Sequence, residues 1–118
     1  MKKKLLVVDD NPEVRQVMRR ALEQAGHDVI EAADGHTAAD WVEWEHPALV
    51  VMDIHMPRLD GITALGEILD IDPGMPVIIV TGDSDKGQAE QTMARGACDY
   101  ITKPFDMRTL EASVAAHL

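Results

Sequence analysis

The side chains of this sequence that could do chemistry each follow a short apolar run. Asp9 and Asp10 follow Leu5-Leu6-Val7-Val8, and Asp53 follows Ala48-Leu49-Val50-Val51-Met52. Thr81 and Gly82 follow Val77-Ile78-Ile79-Val80, and Lys103-Pro104 comes just after Tyr100-Ile101. If the runs are neighbouring strands, these groups converge on one edge of a sheet. Three carboxylates at short range repel one another. A hard divalent cation relieves that repulsion: Mg²⁺ takes about six oxygen ligands, keeps several waters and needs only one or two carboxylates. Asp9-Asp10 alone fits a solvated loop or a helix cap equally well; its register with Asp53 and Lys103 favours the cation site. Lys103, an ammonium facing a carboxylate cluster, is placed as an anion clamp that pairs with Asp53. A cis Lys103-Pro104 bond would aim that lysine inward, although cis is a minority state. Thr81 offers a hydroxyl donor, and Gly82 leaves the space beside it open.

The elements that must position these groups are legible in the pattern. The apolar runs are continuous rather than alternating, as in strands covered on both faces of a parallel sheet. Val29-Ile30 and Tyr100-Ile101 read as two weaker strands. Asn11-Pro12 opens a first helix as N-cap and first-turn proline; Val14, Val17, Met18, Ala21 and Leu22 recur at helical spacing, and Gly26 ends it. Further helices are expected over His36 to Glu45, Ile62 to Leu69, Lys86 to Arg95 and Met107 to His117, with Pro73 and Gly96 as stops. The order is βα five times over, an α/β fold with a five-stranded parallel sheet and helices on both faces. Open sheets of this kind bind ligands beyond the carboxyl ends of the strands, where the chemical groups fall.

A chain of 118 residues fits one domain, and 46% apolar content is enough for a core built from aliphatic side chains, aromatics being only 3%. The net charge of −10 argues against direct nucleic-acid binding, because the surface would repel phosphates. The single cysteine, Cys98, excludes an internal disulfide and fits a reducing cytoplasm. Met1-Lys2-Lys3-Lys4 is followed by too short an apolar run for a secretory signal. No run approaches the ~20 residues of a membrane span.

Four motifs in order carry a resemblance. Leu-Val-Val-Asp9-Asp10-Asn-Pro, Met52-Asp53-Ile-His-Met56-Pro57-Arg-Leu-Asp60-Gly61, Val80-Thr81-Gly82 and Gly96-Ala97-Cys-Asp-Tyr100-Ile-Thr-Lys103-Pro104-Phe105 resemble the receiver (REC) domain of two-component response regulators, the CheY-like family. The likeness runs over essentially the whole chain, residues 1–118. It implies a flavodoxin-like (βα)5 sandwich of strand order 2-1-3-4-5. It implies Asp53 as phosphoacceptor, Asp10 as direct Mg²⁺ ligand, Asp9 as a ligand acting mostly through water, and the backbone carbonyl of His55 completing the protein's share. Thr81 and Tyr100 match the switch pair and Lys103 the phosphate-contacting lysine. The implied donor is a phosphohistidine on a sensor histidine kinase or a histidine phosphotransfer protein. The implied output is a linked domain or target engaged by the face of the fourth helix, fifth strand and fifth helix, a phosphorylation-dependent homodimer included. His55 and Asp83, two residues after Asp53 and Thr81, match positions that tune autodephosphorylation.

Two other functions are weighed. A Mg²⁺-dependent phosphohydrolase with an aspartate nucleophile usually carries a second carboxylate two residues on, where this chain has His55, and it needs a cap. A flavodoxin-like cofactor carrier wants a hydroxyl- and glycine-rich loop after the first strand, whereas Asp9-Asp10-Asn11-Pro12 repels an anion unless a metal is bound. Elsewhere the plain readings hold. His27, His36, His46 and His117 are expected to face solvent, and Met18, Met52, Met56, Met75, Met93 and Met107 to pack in core or loops. Pro57 and Gly61 shape the loop after Asp53. Ala38, Ala39 and Val42 are expected inside, leaving Trp41 exposed one turn from Trp44.

Overall fold

The structure, a computed structural model, describes residues 3–54, 61–82 and 86–118. Strands β1 (Lys4–Val8), β2 (Asp28–Ala32), β3 (Leu49–Asp53), β4 (Val77–Gly82) and β5 (Asp99–Lys103) alternate with helices α1 (Pro12–Gln24), α2 (Gly35–Glu45), α3 (Gly61–Ile71), α4 (Lys86–Ala94) and α5 (Met107–His117). All strand pairs are parallel, in the order β2-β1-β3-β4-β5. This is the flavodoxin-like arrangement expected.

The sheet divides the core in two. Leu6, Val8, Val50, Met52, Val77 and Ile79 pack with α2 and α3, while Leu5, Val7, Leu49, Val51, Ile78, Val80 and Ile101 pack with α1 and α5. The central strands are apolar at successive positions because each face meets a helix layer. Side chains alternate between faces along a strand, and this parity decides the site. Asp9, Asp53 and Lys103 continue the rows that end at Val7, Val51 and Ile101. Thr81 continues the opposite row, after Ile79.

Helix ends follow the expected signals. Asn11 caps α1 through its side-chain oxygen, which accepts from the N–H groups of Glu13 and Val14. Gly26 (φ 98°) and Gly96 (φ 113°) adopt the left-handed conformation beyond α1 and α4. In both, paired bonds of the Schellman type close the helix: His27 N–H to Leu22 O with Gly26 N–H to Glu23 O, and Ala97 N–H to Thr92 O with Gly96 N–H to Met93 O. Element ends move by a residue or two, and Thr81, Gly82 and Lys103 lie inside their strands rather than after them.

Some expectations are corrected. Trp44 is the exposed tryptophan, at 67%, whereas Trp41 packs against the core; their rings meet edge to face at 6.1 Å. Val17 shares the helical spacing of its neighbours but is half exposed, as is Met93 in part. His36 and His46 face solvent. His27 does so only in part: the residue is half-buried, and its Nδ1 is buried and without a hydrogen-bond partner. His117 Nδ1 lies 2.8 Å from the Ser113 carbonyl. Met56 and Pro57 lie outside the described residues.

Candidate functional site

Parallel pairing sets the site at the carboxyl edge. Asp53 stands opposite Val80 between β3 and β4, and Gly82 stands opposite Lys103 between β4 and β5. One ligand oxygen from each of Asp9, Asp10 and Asp53 lies within 4.8 Å of the others. Asp9 and Asp53 are buried, and Asp10 is exposed. Lys103 Nζ donates to Asp53 Oδ2 at 2.8 Å and lies 3.7 Å from Asp9 Oδ2. The Lys103–Pro104 bond is cis.

Asp9 is held on several sides. Its N–H donates to the Ala32 carbonyl at 3.2 Å, its Oδ1 accepts from Asn11 N–H at 2.9 Å, and its carbonyl accepts from Arg15 Nη1 at 2.6 Å. Its Oδ2 is buried and accepts no hydrogen bond. Burial raises the Asp9 carboxyl to about 6; the Asn11 N–H opposes the rise, the Asp53 charge adds to it, Lys103 opposes it and Asp10 adds again. Burial alone would lower the Lys103 ammonium, but the hydrogen bond and charge of Asp53, with Asp9 and Asp10, hold it above its ordinary value.

Thr81 is buried on the other parity, and its Oγ1 is 3.4 Å from the Gly82 carbonyl. Tyr100, opposite Ile79, is 41% exposed and lines an open groove of about 740 Å³ with Thr102, Phe105, Thr109 and Ala112. The structure thus gathers Asp9, Asp10, Asp53 and Lys103, with Thr81 and Gly82 at the same edge and Tyr100 facing outward. His55 and Asp83 lie outside the described residues, the His55 carbonyl included.

The model of the response regulator receiver domain matches residues 5–115. The chain belongs to that family. It is a receiver domain of two-component response regulators. This receiver is 40% identical over 117 residues to the "Probable transcriptional regulator ycf27" of Porphyridium aerugineum, covering 99% of this chain and 48% of that protein. It is 37% identical over 118 residues to the alkaline phosphatase synthesis transcriptional regulatory protein PhoP of Bacillus subtilis, covering 100% and 49%. Among solved structures, the receiver domain of NtrX from Brucella abortus superposes with a TM-score of 0.92 at 34% identity, covering 97% of each chain. The receiver spans about half the length of these two curated relatives. No helix among the described residues is long and apolar enough to cross a membrane.

Arg15 escaped the sequence reading. Its signal is a cation in the first turn of a helix, where the dipole disfavours positive charge. A residue so placed needs a specific anionic or carbonyl partner, and Arg15 has both.

Proposed function

We propose that this receiver takes a phosphoryl group on Asp53 from a phosphohistidine of a sensor histidine kinase or a histidine phosphotransfer protein. The observation that carries the reading is the Lys103–Asp53 bond beside two further carboxylates. Asp53 Oδ attacks phosphorus, the new O–P bond forms as the P–N bond breaks, and the electron pair leaves with the donor imidazole. Lys103 transfers its hydrogen bond from the carboxylate to a phosphoryl oxygen. The Thr81 hydroxyl, buried at the strand edge, donates to another. Tyr100 turns inward toward the space Thr81 vacates, which biases the α4-β5-α5 face toward an output domain, a target or a second copy.

Mg²⁺ fits the donor set. The oxygens are hard, and Asp9 Oδ2 is buried without a hydrogen bond. Asp10 and Asp53 would hold the ion directly, with the His55 carbonyl, and Asp9 through water. When bound, the ion neutralises charge on the phosphoryl oxygens. The domain is a phosphoacceptor that turns over no external substrate. It acts in the cytoplasm within a single domain over residues 1–118, without contact to nucleic acid of its own. His55 and Asp83 tune the lifetime of the phosphorylated state.

The test is phosphorylation by acetyl phosphate with Mg²⁺. Mass spectrometry should place one phosphate on Asp53, and Asp53→Asn should abolish it. Phosphate on another residue with Asp53 unmodified sinks the assignment.

A further inference from the structure

Arg15 on α1 belongs to no part of the phosphorylation chemistry, yet it is tied to the site by a direct hydrogen bond. Its Nη1 donates to the Asp9 carbonyl at 2.6 Å, and its Nε donates to Glu31 Oε1 at 3.1 Å. Its side chain is only 17% exposed. Glu31 stands on β2 opposite Val7. Arg19, one turn further along α1, donates from Nη1 to Glu31 Oε2 at 2.8 Å and pairs with Glu23 at 3.3 Å. Glu31 is therefore gripped from both oxygens. The hydrogen bond from Arg19, against the opposing effect of burial, and that from Arg15 hold its carboxyl below the ordinary range.

A carbonyl oxygen and the following N–H share one rigid plane. Fixing the Asp9 carbonyl therefore fixes the peptide that leads into Asp10. The Asp9 N–H is already fixed by Ala32, and Asp9 Oδ1 by the Asn11 N–H. With these three points set, the buried Asp9 Oδ2 lies 3.7 Å from Lys103 Nζ, and an oxygen of Asp10 falls within 4.8 Å of one from each of Asp9 and Asp53.

We propose that Arg15, braced by Glu31, is a positioning residue that orients the Asp9–Asp10 peptide and so sets the affinity of the acidic cluster for a divalent cation. This rests on the reading of that cluster as a Mg²⁺ site. The guanidinium is an unusual choice for the task, since a cation beside a cation site lowers its affinity. Two features offset that. The Arg15 charge is matched by Glu31, and the planar fork serves a carbonyl and a carboxylate at once, which a lysine ammonium on its flexible stem does less well.

The charge gives the test its sign. If Arg15 acted only through its field, removing it would tighten Mg²⁺ binding. If it were only structural, stability would fall and affinity would not. Orientation predicts weaker binding: roughly tenfold for Arg15→Ala, at the low end of losses seen when groups supporting metal ligands are removed. Glu31→Gln, which keeps the shape and loosens the brace, should weaken it less, by about threefold. Arg15→Lys should recover part of the loss. The experiment titrates Mg²⁺ into the metal-free wild-type chain and each variant, following backbone amide shifts by NMR, with melting recorded in parallel. Unchanged or tighter binding in both Arg15→Ala and Glu31→Gln, with wild type still binding, overturns the positioning role alone. A wild type that shows no Mg²⁺ response overturns the cation site and this role together. Should Arg15→Ala fail to fold, Glu31→Gln decides.

Discussion

Lys103 and Asp53 meet at 2.8 Å although 50 residues separate them, because β5 and β3 flank β4, with Lys103 opposite Gly82 and Asp53 opposite Val80. The pair is asymmetric. Asp53 is buried, while the Lys103 side chain is 36% exposed and keeps part of its hydration. Removing the ammonium leaves the buried Asp53 and Asp9 carboxylates without their shared cation. Deleting one partner of a buried pair costs several kcal/mol, and exposure of the lysine discounts that. Lys103→Met, which keeps the apolar stem, should destabilise the metal-free domain by about 1–2 kcal/mol. Chemical denaturation at pH 7 checks it, and millimolar Mg²⁺ should narrow the gap. An unchanged midpoint would mean that the ion pair adds nothing beyond its desolvation cost.

Asp10 is the exposed member of the cluster and offers the opposite effect. Its charge repels Asp9 and Asp53 and is not paired with Lys103 by any close contact among the described residues. Asp10→Asn should raise the metal-free stability by a few tenths to about 1 kcal/mol, the scale of exposed charge pairs. The same substitution should remove most of the stabilisation that Mg²⁺ gives the wild type by mass action. Thermal melts with and without Mg²⁺ test both halves. A clear drop for the metal-free variant would show that unseen pairings of Asp10 outweigh the repulsion.

Gly61 opens α3 directly against the end of β3. Its N–H donates to the Ile54 carbonyl at 2.9 Å, and a Cβ there would lie 2.5 Å from Ile54 Cα and 2.8 Å from Ile54 O. Those are backbone atoms that cannot rotate away. Gly61→Ala should therefore destabilise by about 2 kcal/mol or more, within the cost of overpacking, despite alanine's better helix propensity. It should also weaken Mg²⁺ binding, since Ile54 follows Asp53. A denaturation midpoint equal to wild type would show that α3 can shift freely from β3.

Much of this was legible in the sequence because parallel strands buried on both faces write themselves as continuous aliphatic runs. The residues that close each run then fall at one edge, which is why Asp9, Asp53 and Lys103 group together in the sequence itself. Parity was harder to read. Thr81 lies one strand position out of phase with Asp53 and Lys103, and only pairing register shows it. The burial of Trp41 is not legible in the pattern, because the faces of a helix cannot be ranked without its neighbour and the packing around Trp41 comes from the tertiary fold. Arg15 and Glu31 were invisible for another reason. Their link joins a helix turn to a strand sixteen residues on, and nothing in spacing alone announces it.

Asp9 gives the last prediction, a pH dependence with a definite sign. Burial first, then the Asp53 and Asp10 charges, raise its carboxyl from 3.8 to about 6 against the pull of the Asn11 N–H and Lys103. The metal-free folded state therefore binds this proton more tightly than the unfolded chain does. The stability tied to it is fully present below about pH 4 and is lost as pH rises through about 6. Asn at position 9 can still accept from Asn11 and never ionises. Between pH 4.5 and 7.5, then, metal-free wild type should lose roughly 1–3 kcal/mol relative to Asp9→Asn, taking one pKa unit as about 1.4 kcal/mol. Glu31, held low, contributes alike to both proteins and cancels in the comparison. Mg²⁺ should remove the trend, because the ionised carboxylate is the form that helps to hold the ion. The measurement is urea denaturation of both proteins at several pH values with chelator present. Parallel curves for wild type and Asp9→Asn would show that the buried Asp9 Oδ2 is solvated or paired in solution, and that its carboxyl titrates as an ordinary one.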